Sequence, residues 1–135
     1  MSLIGIVQGR LSKSPKNRLQ YFPKKWDKEF EIANELEYDF IEFFTERKFN
    51  KNNPIWSSKG IQNYKYYSKK NNLKIINFCD DSIISNSFKK KKTYIYLTKL
   101  LKNINKLGIK NLILPFYEKS LMTDQNYFQF KDNLI

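Results

Sequence analysis

Apolar and polar positions along this chain follow two rhythms. Leu3 to Val7, Asp39 to Phe43, Leu73 to Phe78 and Ile109 to Leu114 are short runs rich in β-branched and aromatic residues, the signature of buried strands. The segments between them carry apolar residues at helical spacing. Trp26, Phe30, Ala33 and Leu36 predict a first helix, with Asp27 and Glu29 in or beside its first turn, where negative charge favours a helix start. A second helix, Tyr-rich and weakly amphipathic, is predicted from about Ser57 to Lys70. The clearest pattern begins near Lys90: Leu97, Leu100, Leu101, Ile104 and Leu107 share a helical face, and Gly108 stands where a left-handed cap residue is wanted. Asp124 can cap a last helix using Tyr127, Phe130 and Leu134. Strand alternating with helix four times, with crossover-length connections, predicts an α/β fold with a parallel sheet, as a single domain over residues 1–135.

Each strand-like run is followed by polar residues. Gln8-Gly9-Arg10 follows the first, Glu42 the second, Cys79-Asp80-Asp81 the third and Pro115-Phe116-Tyr117-Glu118 the fourth. In α/β proteins chemistry gathers at the carboxyl ends of parallel strands, because the following loops face a common crevice. Period-two alternation puts Phe40 and Glu42 on one face of their strand, with Ile41 and Phe43 on the other. Residues 9–24, with Pro15 and Pro23, make a loop long enough to suggest a functional role. Residues 45–54 form a polar loop closing in the turn signal Asn53-Pro54.

Composition narrows the classes. No apolar run approaches the ~20 residues of a membrane-spanning helix, and the N-terminus lacks the pattern of a signal peptide, so a cytoplasmic location is expected. A single cysteine, Cys79, allows no internal disulfide, and the absence of histidine removes Ser-His-Asp triads, imidazole proton shuttles and His-based zinc sites. Neither a Gly-x-Gly-x-x-Gly nor a P-loop pattern is present. The net charge of +12 invites a nucleic-acid reading, yet only Arg10, Arg18 and Arg47 of the 25 basic residues are Arg, the better residue for bidentate contacts. Lys, Asn and Ile are all abundant and share A/T-rich codons, which is the plainer account of the charge. The Lys89 to Lys92 run lies where a helix dipole disfavours positive charge. It reads as a solvated loop, with phosphate binding as the second reading.

Taken together, the motifs resemble a known family. Gly5-Ile6-Val7-Gln8-Gly9-Arg10-Leu11-Ser12 is similar to the first strand of bacterial sugar phosphate isomerases/epimerases of the xylose isomerase-like TIM barrel type. Phe22-Pro23, Trp26 and Glu29-Phe30 resemble that family's entry to the first helix, and Ile41-Glu42 its second strand end. Asn53-Pro54-Ile55-Trp56-Ser57 with Gly60-Ile61, then Cys79-Asp80-Asp81 and Leu114-Pro115-Phe116, continue the resemblance in order. It implies a (β/α)8 barrel of which this chain is the N-terminal (β/α)4 half. It also implies a divalent metal (Mn, Co, Zn or Mg) in the complete barrel, and a sugar or sugar phosphate as substrate. In that family the metal ligands, two Glu, an Asp and a His, come from strands five to eight. This chain is therefore expected to bind no metal alone, to hold no catalytic residue and to be inactive by itself.

Five residues are substrate-side candidates: Gln8, Arg10, Glu42, Asp81 and Glu118. Gln8 and Arg10 suit hydrogen bonds to substrate oxygens, Arg10 especially to a phosphate or carboxylate. Against this, Gly9 simply permits a tight exit and Arg10 pairs with Glu42 or Asp81. Glu42 suits a sugar hydroxyl, or a helix cap or salt bridge. Asp80 and Asp81, as neighbours on a strand, point to opposite faces, and the resemblance favours Asp81; capping the next segment is its structural alternative. Glu118 is a substrate-loop residue by analogy or a solvated charge. Cys79 reads as a small buried residue, and Trp26, Phe30 and Phe43 as core. Half a barrel would expose parallel edge strands and an open inward face. A complementary half or a second copy is therefore expected as partner, and nucleic acid or an abasic-site endonuclease-like role is the lesser alternative.

Overall fold

In a computed structural model of the chain, residues 2–15, 18, 21–86 and 90–132 are described. Strands β1 (Gly5–Val7), β2 (Phe40–Thr45), β3 (Asn77–Asp80) and β4 (Asn111–Ile113) pair in parallel, in chain order. Helices α1 (Lys28–Glu35), α2 (Ser58–Lys70), the single turn α3 (Ser82–Ser85), α4 (Lys91–Leu107) and α5 (Asp124–Asp132) fall between and after them. The α/β class and the parallel sheet read from the periodicity are both present.

Registration across the sheet sorts the side chains. Ile6 lies beside Ile41, Phe43 beside Phe78, and Phe78 beside Leu112. This face meets the helices: Ile41, Phe43 and Phe78 form one buried cluster with Phe30 and Ala33 of α1, Ile61 and Tyr64 of α2, and Leu100, Ile104 and Leu107 of α4. Tyr64 is stacked on Phe43 at 4.4 Å between ring centroids. By alternation, Val7, Glu42, Asn77, Cys79, Asn111 and Ile113 occupy the other face. A second, smaller cluster of Ile83, Ile84 and Leu97 seats α3 against α4.

Helix ends follow local chemistry. Ser57 caps α2, its Oγ accepting from the Gly60 amide at 3.0 Å. Asn53 does the same for the 3-10 turn Pro54–Trp56 through the Ile55 amide. Gly108 closes α4 in the left-handed region at φ 87°, as its position predicted. Asp124 is the first helical residue of α5 rather than its cap. Thr123 precedes it, and the Asn126 side chain accepts the Thr123 amide at 2.8 Å.

Some boundaries differ from the periodicity. β2 runs on through Phe44 and Thr45, so Glu42 is inside the strand rather than at its end. β3 begins at Asn77, with Lys74 making only an isolated bridge to Phe40. Leu36 and Leu101, expected on apolar faces, are exposed: Leu36 lies past the last turn of α1, and Leu101 sits on the flank of α4. Tyr127 of α5 is also exposed, and the Phe130 and Leu134 side chains lie outside the described residues. Of the Lys89 to Lys92 run, Lys90 precedes α4 and Lys91 opens it, while Lys89 lies outside the described residues. No helix among the described residues is long and apolar enough to cross a membrane.

Candidate functional site

The face of the sheet opposite α1, α2 and α4 carries a band of polar side chains that spans three strands. The Asn111 amide donates to Asn77 Oδ1 at 3.0 Å, and the Asn77 amide donates to Glu42 Oε2 at 3.4 Å. On the same face the Cys79 thiol donates to Asp81 Oδ1 at 3.4 Å. At the amino end of β2 the Phe40 ring lies directly over Gly5, where a Cβ would sit 2.3 Å from the ring. Apolar packing thus closes one end of the face, and the polar band occupies the carboxyl end.

The band is electrostatically coupled. Partial burial raises the Glu42 carboxyl above the ordinary carboxylate range; the Asn77 hydrogen bond opposes this and the nearby Asp81 charge adds to it. Asp81 is also raised, first by desolvation. The Cys79 thiol opposes the shift, Asp80 reinforces it, and the positive fields of Arg47 and Arg10 oppose it. Desolvation and the surrounding carboxylates push the Cys79 thiol up, in keeping with its hydrogen bond to Asp81 as donor. A pair of carboxyls whose protons are held more tightly than usual, flanked by carboxamides, can exchange hydrogen bonds with hydroxyl groups in both directions.

Of the five candidates from sequence, Glu42 and Asp81 come together on this face. Arg10 is exposed at the turn after β1, close enough for its field to reach Asp81, and no ion pair joins it to Glu42 or Asp81. Gln8 is placed elsewhere: it is buried on the helix side, with Oε1 accepting from the Tyr64 hydroxyl at 3.3 Å. Glu118 does not join the band either. Both its oxygens accept from Arg47, at 3.0 and 3.2 Å, and Arg47 also donates to the Tyr117 hydroxyl at 3.0 Å. That bridge ties the loop after β2 to the loop after β4, across the end of β3.

Asp80 serves the opposite face. Its Oδ1 accepts from Thr45 Oγ1 at 2.6 Å, the Ser82 amide at 3.1 Å and the Tyr96 hydroxyl at 3.1 Å. The adjacent carboxylates therefore divide as strand alternation requires, Asp80 to the helix side and Asp81 to the side of Cys79, where it is itself buried at 3% exposure with Oδ2 unpartnered. Asp81 stands at the cap position of α3 without a side-chain capping bond.

Three participants escaped the sequence reading. Asn77 and Asn111 carry no distinguishing pattern, and only the strand register sets Asn111 opposite Asn77 and Asn77 within reach of Glu42. Glu29 looked like a first-turn acid. It is 1% exposed and accepts the Gly9 amide at 2.7 Å, pinning the β1–α1 loop. Its carboxyl is raised by burial, against the pull of the Gly9 and Ser12 hydrogen bonds. The one signal the sequence offered was the Glu29-Phe30 pair within the stretch that resembles the entry to the first helix.

Among the described residues no three of His, Cys, Asp or Glu are grouped to hold a metal. No family model matches the chain, and no curated protein matches it.

Proposed function

We propose that this chain is the substrate-side, N-terminal half of a sugar phosphate isomerase/epimerase-like (β/α)8 barrel. The observation that carries this reading is the polar band of Glu42, Asn77, Cys79, Asp81 and Asn111 on the face of a parallel sheet opposite α1, α2 and α4. Unreversed strand order with helices packed on one face is the winding of a barrel, whereas an open doubly wound sheet reverses its order and has helices on both. In the closed barrel the band would lie inside, at the end where barrel enzymes keep their chemistry.

In this reading Glu42 and Asp81 hold the hydroxyls of a sugar, each able to donate when protonated and accept when not. Asn77, itself held by Asn111, steadies the Glu42 carboxyl, and Arg10 supplies positive charge at the rim. Metal ligands and a proton-transfer base come from outside this chain, so the chain alone turns over no substrate.

The test is an aldose–ketose isomerisation and epimerisation assay with sugar phosphates and divalent metal. It compares the chain alone with the chain joined to whatever βα units its coding sequence continues into. Activity in the joined protein only, lowered at least tenfold by Glu42→Gln at unchanged circular dichroism, is the expected result. Full activity of that variant would remove Glu42 from the site, and an inactive joined protein would overturn the reading.

Among the described residues no strand pairs with the outer edges of β1 and β4, which favours a second reading, a half-barrel that closes on another copy of itself. Sedimentation velocity over a range of concentrations separates the two, because only self-closure gives a defined dimer of the chain alone.

A further inference from the structure

The bridge made by Arg47 is fixed at one end and loose at the other. At its base, Thr45 accepts the Asp81 amide at 3.1 Å, and Glu46 accepts the Phe22 amide at 3.0 Å and the Asn50 side-chain amide at 2.7 Å. From there the guanidinium reaches the Glu118 carboxylate and the Tyr117 hydroxyl. At the far end the 3-10 turn Glu118–Ser120 rests on α3, the helix that follows directly on Asp81. The bridge therefore spans the segment that carries Asp81, close enough for the Arg47 charge to act on that carboxyl.

Two features of this closed arrangement are unfavourable. Glu118 lies in the left-handed region at φ 54°, which a residue with a Cβ adopts only under constraint. Asp81 is buried, and its Oδ2 meets no donor among the described residues. One movement relieves both: if residues 117–121 swing away, the Glu118 backbone relaxes and a donor from outside can reach Asp81. Little opposes that movement. The Arg47 and Glu118 side chains are 42% and 50% exposed, so water and salt screen their attraction. Tyr117 and Leu121 are exposed too, whereas Phe116 is packed against the cluster of Ile83 and Ile84 and marks the fixed end. The remaining hydrogen bonds are local, from Ser120 to the Pro115 and Tyr117 carbonyls and from the Leu121 amide to Glu118. A strained backbone, an unanswered carboxylate and a weak exposed fastening together make a two-state element.

We infer that residues 117–121 form a strap, fastened by Arg47, whose release opens Asp81 to solutes. The strap regulates access to the polar band, and it rests on the function proposed above only for the identity of what enters. Its test uses no substrate, so the two readings fail separately.

Cys79 reports the opening, because it is the single cysteine of the chain and its thiol is hydrogen-bonded to Asp81. Alkylation by iodoacetamide at constant pH is followed by mass spectrometry in the full chain, in Arg47→Ala and in Glu118→Gln. Both variants should label about threefold faster, as release of an exposed ion pair allows. They change the local charge in opposite directions, so a field acting on the thiol would speed one and slow the other. Raising the ionic strength should speed labelling of the unsubstituted chain more than that of Arg47→Ala. Strap opening exposes little surface, so the rates should stay flat in urea below the melting transition, whereas labelling through global unfolding climbs with urea. Acceleration confined to Glu118→Gln would be a field effect and would overturn the strap. So would unchanged rates in both variants, or rates that climb with urea in step with global unfolding.

Discussion

Glu42 and Asp81 illustrate how a residue's place on a strand sets its chemistry. Both carboxyls are raised on folding, mainly by desolvation. Stability from such groups is fully present below the unfolded pKa, about 4, and is lost as pH rises through the folded value. Glu42→Gln should therefore leave stability unchanged at about pH 3 and raise it at about pH 7, by no more than about 1 kcal/mol after screening. Urea melts at the two pH values check this, and a variant less stable at pH 7 would contradict it. Glycines offer a sharper contrast. A Cβ on Gly60 would meet the Pro54 carbonyl oxygen at 2.1 Å, whereas one on Gly108 meets nothing within 4 Å. Gly60→Ala should cost about 3 kcal/mol or more by overpacking, and Gly108→Ala only the left-handed penalty of about 1–2 kcal/mol, ranked by thermal melts. At this scale Glu42 and Asp81 were legible because alternation alone decides which way each points. Asn77 and Asn111 were not, because their role exists only once β2, β3 and β4 are in register.

Among the elements, β3 shows most clearly what periodicity misses. The apolar run Leu73 to Phe78 reads as a strand, but the ladder starts at Asn77 and ends at Asp80. Leu73 is buried in the main core, and the pairing is fixed further on by the Thr45–Asp80 hydrogen bond between adjacent strands. A polar tie at the strand end outweighs an apolar run in placing the register, and a single sequence does not display that tie. Asp80→Ala leaves the Thr45, Ser82 and Tyr96 donors without their acceptor, at about 1–3 kcal/mol for each buried group. The variant should lose at least about 3 kcal/mol, and Asp80→Asn, which keeps one acceptor oxygen, clearly less. Equal losses in chemical denaturation would count against the network. The bridge from Arg47 to Glu118 is exposed and behaves differently. Arg47→Ala should change stability by less than about 1 kcal/mol while speeding amide exchange in residues 117–121.

For the whole molecule, the parallel α/β architecture was legible because strand and helix rhythms alternate cleanly. The consequence of that architecture is an asymmetric sheet, sealed by α1, α2 and α4 on one side and bearing Glu42, Asn77, Cys79 and Asp81 on the other. Its edges are equally telling. Gln8 donates to Glu42 and Asn111 to Ile76, so by alternation the amides of Val7 and Leu112 point away from their partner strands. A closed barrel pairs both outer edges at once. Hydrogen exchange of β1 and β4, compared between the isolated chain and the native assembly, is the most direct measurement of that claim. Val7 and Leu112 should exchange fast in the isolated chain, while the amides of β2 and β3 are protected. Both edges should then become protected together in the native assembly. Edges that stay fast in the native assembly, or that are already as protected as β2 and β3 in a monomeric chain, would contradict the half-barrel account.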